Sequence, residues 1–164
     1  MAGPTPARYV RLAMPFTTLR SCPRCATQNR VPAKHLADTG TCGACHAELS
    51  PQAEPLEVDP GAFEEIVSAA RVPVLVDFWA AWCGPCRAAA PEVHRVAQEM
   101  AGRAIVLKVD TEAHPQLAAR FGVQAIPNFA VLLDGRTVLQ QAGLVPRAEM
   151  RRWLEQAAGS AAHA

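Results

Sequence analysis

The run Val74-Leu75-Val76-Asp77-Phe78-Trp79, followed closely by Trp82-Cys83-Gly84-Pro85-Cys86, is the most informative part of this 164-residue sequence. The first segment is short, apolar and rich in β-branched and aromatic residues, which predicts a buried strand. The residues after Cys86 have helical periodicity and predict a helix over about residues 83–100. The pair Cys83/Cys86 therefore lies between a strand end and a helix start, where the helix dipole and free N–H groups favour a thiolate. We interpret Cys83 as a nucleophile that should be exposed, and Cys86 as a shielded partner one turn further in.

Strands and helices alternate along the chain after residue 55, which predicts an α/β fold. Strands at 73–79 and 104–109 enclose the 83–100 helix, so the three form a βαβ unit with parallel strands. Asp134-Gly135-Arg136 is a turn signal between two antiparallel strands. The other predicted elements are a strand at 56–58, helices at about 60–70 and 114–121, strands at 128–133 and 137–141, and a closing amphipathic helix at 146–158.

The remaining four cysteines form two further C-x-x-C pairs, Cys22/Cys25 and Cys42/Cys45, with sixteen residues between them. This is the spacing of a four-cysteine zinc site, and turn-prone sequence in each pair lets both sulfurs face one ion. About fifty residues are too few for a stable core, so we predict one structural zinc ion bound by all four cysteines. Two redox-labile disulfides without a metal are the alternative. His46 could also ligate, but we interpret it as a neighbour of the site.

Composition and charge argue against several classes of partner. Half of the residues are hydrophobic, and the net charge of +1 gives no indication of binding to nucleic acid or to an acidic membrane. The first 50 residues carry a charge of +4 and the remainder −3, which indicates two units of different character. The apolar patch at 12–16 is too short for a signal peptide, and no stretch approaches the roughly 20 apolar residues of a membrane span. We therefore expect a cytoplasmic protein that binds neither nucleic acid nor membrane, with its start at Met1 or Met14.

The order of predicted elements and several motifs resemble the thioredoxin family over about residues 54–157. The resemblance implies a thioredoxin fold, with a mixed central sheet flanked by helices and a small four-cysteine zinc-ribbon-like module in front. The module and the segment Gly143-Leu144-Val145-Pro146-Arg147 are similar to the zinc-containing thioredoxin 2 branch of bacteria. One departure is Asn128, where most members have Thr after the conserved Pro. The matching motifs are 76–80, 82–86, Pro91, Lys108-Val109-Asp110, Ile126-Pro127 and Gly143.

With this resemblance the chain divides into five parts. We predict an N-terminal extension over residues 1–21, a zinc-binding module over 22–49 and a Pro-punctuated linker over 50–55. A thioredoxin domain follows over 56–158, and the Ala-rich residues 159–164 are predicted to be a flexible tail.

The resemblance also implies a role for each residue of the site. Cys83 attacks a target disulfide, and Cys86 resolves the mixed disulfide. Asp77, a costly charge in an apolar strand, is the general base for Cys86 with Lys108 as its partner. Pro127 is expected to follow a cis bond, although a trans proline at a strand edge is the alternative. The expected docking face for substrate consists of Trp82, Gly84, Pro85, Ile126, Pro127 and Gly143.

The resulting prediction is a protein-disulfide reductase. Because no nucleotide-binding glycine motif occurs, we expect no bound nucleotide and assign the supply of electrons to an NADPH-dependent thioredoxin reductase. The chain is expected to act as a monomer on disulfide-bearing proteins. A redox-switched, zinc-dependent binding module or holdase is the alternative. An oxidase or isomerase is a third possibility, but it would need an oxidising compartment.

Overall fold

The computed structural model describes residues 14–161, which form a small N-terminal ribbon and a larger α/β domain. The ribbon consists of two antiparallel hairpins. Strand β1 (Thr17–Ser21) pairs with β2 (Gln28–Pro32), and β3 (Gly40–Thr41) pairs with β4 (Glu48–Leu49). A 3-10 turn at Ala33–His35 follows β2 in the connection between the hairpins.

The ribbon includes a strand that precedes residue 22, the predicted start of the zinc-binding module. Residues 17–21 were assigned to the extension, but they form the first strand of the ribbon. The physical reason is that each C-x-x-C pair occupies the turn of a hairpin, so a strand has to precede it as well as follow it. We therefore propose that the module starts at Thr17, while residues 1–13 lie outside the described part of the chain.

The larger domain has the predicted α/β architecture with a mixed sheet. Its five strands lie in the order β5-β7-β6-β8-β9, with β5 and β6 parallel to β7, and β8 antiparallel to both β6 and β9. The elements are β5 (Leu56–Glu57), α1 (Pro60–Ala69), β6 (Val74–Trp79), α2 (Gly84–Glu99), β7 (Ile105–Asp110), α3 (Pro115–Arg120), β8 (Asn128–Leu133), β9 (Arg136–Ala142) and α4 (Arg147–Ala161).

Helices cover both faces of this sheet. Because side chains alternate along a strand, Val74, Val76 and Phe78 of β6 face the cluster that includes side chains of α1 and α3. Leu75 faces the opposite cluster, which is built with α2 and α4. Asp77 has the parity of Leu75 and so lies on the α2 side, beneath the helix that carries Cys86.

The ribbon is packed against the α/β domain rather than tethered beside it. Leu36 and Ala33 are buried in the same apolar cluster as Phe63 and Ile66 of α1. The linker adds a backbone hydrogen bond, from the N–H of Gln52 to the carbonyl oxygen of Leu36 at 2.8 Å. The connection between the hairpins therefore contributes to the core of the larger domain.

A buried arginine shapes that connection. The guanidinium of Arg20 donates hydrogen bonds to the carbonyl oxygens of His35, Leu36 and Asp38 at 3.1, 2.5 and 3.0 Å. Burial lowers the pKa of Arg20, while the charge of Asp38 acts in the opposite direction. Three carbonyl groups are satisfied by one side chain, which fixes the turn that presents Leu36 to α1.

The last helix ends later than the sequence predicts. Residues 159–161 continue α4 as helix, whereas the sequence predicts a helix that ends at 158 and a flexible tail over 159–164. The physical reason is that the Ala-rich sequence favours helix, and the hydroxyl of Ser160 donates to the carbonyl oxygen of Gln156 at 3.1 Å. Residues 162–164 lie outside the described part. Within residues 14–161, no helix has both the length and the apolar character that crossing a bilayer requires.

Candidate functional site

Cys83 and Cys86 form a disulfide at the N-terminus of α2, just beyond the end of β6. Cys83 is the N-cap residue of the helix, and its sulfur accepts a hydrogen bond from the backbone N–H of Cys86 at 3.1 Å. Pro85 in the first turn has no N–H to leave unsatisfied, so it fits the helix start without cost. A sulfur in this position lies at the positive end of the helix dipole, which favours its thiolate form.

The expected contrast in exposure between the two cysteines is wrong for this oxidised form. Cys83 is 3% exposed and Cys86 is 4% exposed. The disulfide holds both sulfurs together in a small cluster with Ala80, against which Trp79 and Ile126 pack. Any difference in access between the two sulfurs therefore has to arise when the disulfide opens.

The loop before β8 lies beside this disulfide. The Ile126-Pro127 peptide bond is cis, so the trans alternative is wrong. The carbonyl oxygen of Pro127 accepts a hydrogen bond from the N–H of Gly143 at 2.8 Å, which ties the loop to the segment after β9. Gly143 has φ of 94°, a conformation that favours glycine, so this connection depends on the residue type.

The predicted docking residues include Gly84 and Pro85, which lie between the two cysteines in the chain, and Ile126, which packs against the disulfide cluster. Trp82 is 67% exposed, and its indole N–H donates to Glu112 at 3.3 Å. Leu144 is also 60% exposed next to Gly143; sequence reasoning did not single it out, although its place in the quoted 143–147 motif was a signal. Exposed apolar side chains such as Trp82 and Leu144 are suited to contact an apolar partner segment.

Asn128, the departure from the family pattern, is buried at the start of β8. Its side-chain oxygen accepts a hydrogen bond from the amide of Gln140 at 3.0 Å, and the same amide donates to the carbonyl oxygen of Phe121 at 2.9 Å. The residue after Pro127 is therefore held by a polar contact with β9 and, through it, with the end of α3.

Asp77 is a buried carboxyl group in the middle of β6. It is 2% exposed, and its Oδ1 accepts no hydrogen bond from any of residues 14–161. Burial raises the pKa of Asp77 to about 7, while the charge of Lys108 acts in the opposite direction. A carboxyl group with this pKa exchanges its proton near neutral pH, which is what a general base for a thiol requires.

Lys108 lies opposite Asp77 in the parallel register of β6 and β7. Its ammonium group lies 3.6 Å from a carboxylate oxygen of Glu57 and 4.2 Å from the centre of the Trp79 ring. Among the described residues, Asp77 and Lys108 do not form an ion pair within 4.0 Å, so their interaction is a longer-range attraction. Sequence reasoning missed Glu57, because its position beside Lys108 depends on the pairing of β5 with β7.

The four remaining cysteines converge in the ribbon. Their sulfurs all lie within 4.8 Å of one another, with Cys22 and Cys45 at 3.5 Å and Cys25 and Cys42 at 3.7 Å. Tetrahedral zinc with Zn–S bonds of about 2.3 Å places its sulfurs about 3.8 Å apart, so the arrangement fits the ion. His46 is not a member of this group among the described residues.

The two halves of the cluster are built alike. In each, the N–H of the residue after the second cysteine bonds to the carbonyl oxygen of the first, from Ala26 to Cys22 and from His46 to Cys42. Both Ala26 and His46 have φ of 59°, which turns the chain back after the pair. The sulfurs are thereby directed towards a common point.

The electrostatics of the ribbon cysteines also suit a cation. Backbone N–H groups of Cys45 and Ala44 point at the Cys42 sulfur and lower the pKa of Cys42 to about 6. The N–H of Ala47 favours a thiolate at Cys45 in the same way, but the neighbouring sulfurs and burial together outweigh it and raise the pKa of Cys45 to about 12. Four thiols this close cannot all ionise without a positive charge between them, and a divalent metal supplies it.

Comparison with known proteins agrees with both parts of the structure. Residues 54–156 match the family model described as Thioredoxin, and residues 21–47 match the model described as Thioredoxin 2, N-terminal, a zinc ribbon. The fold and the cysteine pair at the start of α2 define a thiol-disulfide oxidoreductase. The chain belongs to the thioredoxin family, and it is a protein-disulfide reductase.

Individual relatives show how far the similarity extends. Thioredoxin C-3 of Corynebacterium nephridii is 38% identical over 135 residues, which cover 82% of this chain and 92% of the relative. Thioredoxin 1 of Nostoc sp. is 41% identical over 100 residues, covering 61% of this chain and 94% of the relative. A mutant thioredoxin from Halobacterium salinarum NRC-1 superposes with a TM-score of 0.61 at 30% identity, covering 65% of this chain and 93% of that structure.

Proposed function

We propose that the Cys83-Gly84-Pro85-Cys86 dithiol reduces disulfides in other proteins and is itself restored by an NADPH-dependent thioredoxin reductase. The observation that carries this proposal is the Cys83–Cys86 disulfide at the start of α2, beside the cis Ile126-Pro127 bond. The proposed substrate-binding surface is made of Trp82, Gly84, Pro85, Ile126, Pro127 and Gly143.

In the first step the thiolate of Cys83 attacks one sulfur of the target disulfide. A bond forms between Cys83 and that sulfur, the target disulfide breaks, and the other target sulfur leaves as a thiolate. The backbone N–H groups at the start of α2 stabilise the Cys83 thiolate before the attack. An extended segment of the target would pair with the backbone beside Pro127 and present its disulfide to Cys83.

In the second step Cys86 resolves the mixed disulfide. Asp77 accepts the proton of the Cys86 thiol, through water, and the resulting thiolate attacks the sulfur of Cys83. The bond to the target breaks, the Cys83–Cys86 disulfide forms, and the second target sulfur leaves as a thiolate that takes up a proton. The target has gained two electrons and the dithiol has lost two. The reductase returns two electrons and two protons to the Cys83–Cys86 disulfide.

The ribbon is proposed to have a structural role. Cys22, Cys25, Cys42 and Cys45 would hold one Zn²⁺, which supplies positive charge to four thiolates and cross-links the two hairpins. All four positions are filled by cysteine sulfur, so the site has no open position for a substrate. We also propose that the protein acts as a monomer.

Reduction of insulin with NADPH and thioredoxin reductase tests this function. The wild-type protein should turn over many times, and Cys83→Ser should lose the activity by on the order of a thousandfold or more, because the nucleophile is removed. Cys25→Ser is the matched control, since it removes a cysteine from the ribbon only. A wild-type protein that suppresses aggregation in a zinc-dependent way but does not turn over would favour the holdase instead.

A further inference from the structure

Asn29 is the polar side chain that connects the two halves of the four-cysteine cluster. It lies on β2, and its Nδ2 donates a hydrogen bond to the carbonyl oxygen of Thr27 in the first hairpin at 3.0 Å. Its Oδ1 accepts one from the backbone N–H of Gly43 in the second hairpin at 2.9 Å. Because the carbonyl oxygen of Thr27 can only accept and the backbone N–H of Gly43 can only donate, these two contacts fix which end of the amide is which.

With that orientation the amide also reaches a sulfur. Nδ2 of Asn29 lies 3.6 Å from Sγ of Cys42, within the range of an N–H···S hydrogen bond. Cys42 is fully buried, so its thiolate has little access to water and depends on protein donors. A donor to a metal-bound thiolate reduces its negative charge and holds its lone pairs in one direction.

The connection matters because little else joins the hairpins. β1–β2 and β3–β4 are separate two-stranded sheets. Within residues 14–161, the sulfur contacts and the bonds of Asn29 are the direct polar links between residues 17–32 and 40–49. The apolar core of the ribbon is correspondingly small, with Cys22, Cys42 and Leu49 as its buried members.

We propose that Asn29 is a positioning residue for the metal, which determines how tightly and for how long the four cysteines hold it. Its carboxamide sets the second C-x-x-C turn against the first hairpin and donates to the Cys42 sulfur. This inference rests on the proposal that the four cysteines bind zinc. It adds a residue to that site which the spacing of the cysteines does not reveal.

Two substitutions separate the parts of this role. Asn29→Ala removes the acceptor for Gly43 and the donor to Cys42 together. Asn29→Asp keeps an oxygen for the N–H of Gly43 but replaces the donor with a carboxylate that faces a thiolate. Gln28→Ala is the matched control, because Gln28 is the exposed neighbour on the same strand and, among the described residues, its side chain has no hydrogen bond to the four cysteine sulfurs.

Zinc affinity should be measured on the full chain by competition with a chelating dye, and zinc release by transfer to excess chelator. We expect both Asn29 variants to bind about 10–100-fold more weakly than wild type, which is the usual cost of losing a residue that orients metal ligands. Asn29→Asp should be at least as weak as Asn29→Ala, because it adds repulsion. Gln28→Ala should be within twofold of wild type.

Cobalt(II) substitution provides the second readout. Thiolate-to-cobalt absorption at saturating metal should show four sulfur ligands in every variant, so that the weaker binding reflects positioning and not the loss of a ligand. Insulin reduction by the control variant Gln28→Ala should equal that of wild type. Affinity and release in both Asn29 variants within twofold of Gln28→Ala would overturn the role of Asn29 and leave the zinc site standing. A wild-type protein that binds neither zinc nor cobalt would overturn both.

Discussion

The ribbon and the α/β domain use the same C-x-x-C spacing for two different purposes, and the backbone after each pair accounts for the difference. After Cys25 and Cys45 the chain turns back through a residue with φ of 59°, so the sulfurs of two pairs are directed to one point. After Cys86 the chain continues as α2, so the sulfurs of that pair meet each other at a helix start. The spacing alone therefore does not distinguish a metal ligand from a redox cysteine; the following backbone does.

The two regions also differ in what holds them together. The α/β domain has an apolar cluster on each face of its sheet, whereas the ribbon has a very small one. A metal ion can supply the missing stability, because binding free energy becomes folding free energy in such modules. The two regions are nevertheless connected through Leu36. It lies within the ribbon in the sequence, but its side chain packs in the apolar core of the α/β domain.

The largest effect on the free energy of unfolding is expected at Asp77, in the α/β domain, whose stability comes from buried apolar clusters. Its pKa of about 7 in the folded state lies above the value of about 3.9 in an unfolded chain. The resulting penalty is absent below pH 4, grows as the pH rises towards 7 and is constant above that. Asp77→Asn should remove it, which makes the variant more stable than wild type by on the order of 4 kcal/mol at pH 8 and by much less at pH 4.

Urea unfolding of wild type and Asp77→Asn at both pH values checks this expectation. Differences are taken at each pH, so that any loss of metal in acid affects both proteins alike. Asp134→Asn, which removes an exposed carboxylate, is the control and should stay within about 0.5 kcal/mol of wild type. An equal gain at pH 4 and pH 8 would show that the carboxyl group is not the source. Disulfide reduction by Asp77→Asn should be slower than by wild type.

The next largest effect tests whether the ribbon and the α/β domain are separable. Leu36→Ala leaves a cavity against α1, and such substitutions of a fully buried Leu cost about 2–5 kcal/mol. Leu19→Ala is the control, because Leu19 is 59% exposed on β1 of the same ribbon. We expect Leu36→Ala to lower the stability of the α/β domain. Its unfolding can be monitored by the fluorescence of Trp79, Trp82 and Trp153, which all lie in that domain. If the α/β domain unfolds at the same urea concentration in both variants, the two regions are independent after all.

The smallest effect concerns Glu57, which lies on the edge strand β5 and forms an ion pair with Lys108 of β7. Glu57→Gln removes a negative charge and frees the ammonium group to attract Asp77, so the pKa of Asp77 should fall. An exposed ion pair of this kind is worth about 0–1 kcal/mol, which limits the fall to roughly 0.7 of a pH unit. Glu54→Gln is the control, since Glu54 pairs with His94 rather than with Lys108. An NMR titration of the Asp77 carboxyl carbon measures the shift, and an unchanged or higher pKa contradicts it.

Sequence reasoning was most successful where the chemistry is local. The buried strand at 74–79, the helix after Cys83 and the turn at Asp134-Gly135 follow from nearby residues, and each is present in the structure. The resemblance to the thioredoxin family added the cis bond before Pro127, which periodicity does not indicate.

The features that sequence reasoning missed depend on residues far apart in the chain. Leu36 lies in the α/β core on a turn whose carbonyl groups bond to Arg20, sixteen residues earlier in the chain. Glu57 reaches Lys108 only through the pairing of β5 with β7. The similar exposure of Cys83 and Cys86 belongs to the disulfide form, and the sequence does not specify a redox state.

We propose that one C-x-x-C pair exchanges disulfides while the other two hold a metal. The most direct test is to mix the Cys86→Ser variant with a disulfide-containing protein and to map the trapped mixed disulfide by mass spectrometry. Because the resolving thiol is absent, the target should remain bonded to the sulfur of Cys83. The ribbon cysteines should remain free of target and retain their zinc. A target bonded mainly to Cys25, the most exposed of the ribbon cysteines, would contradict the claim.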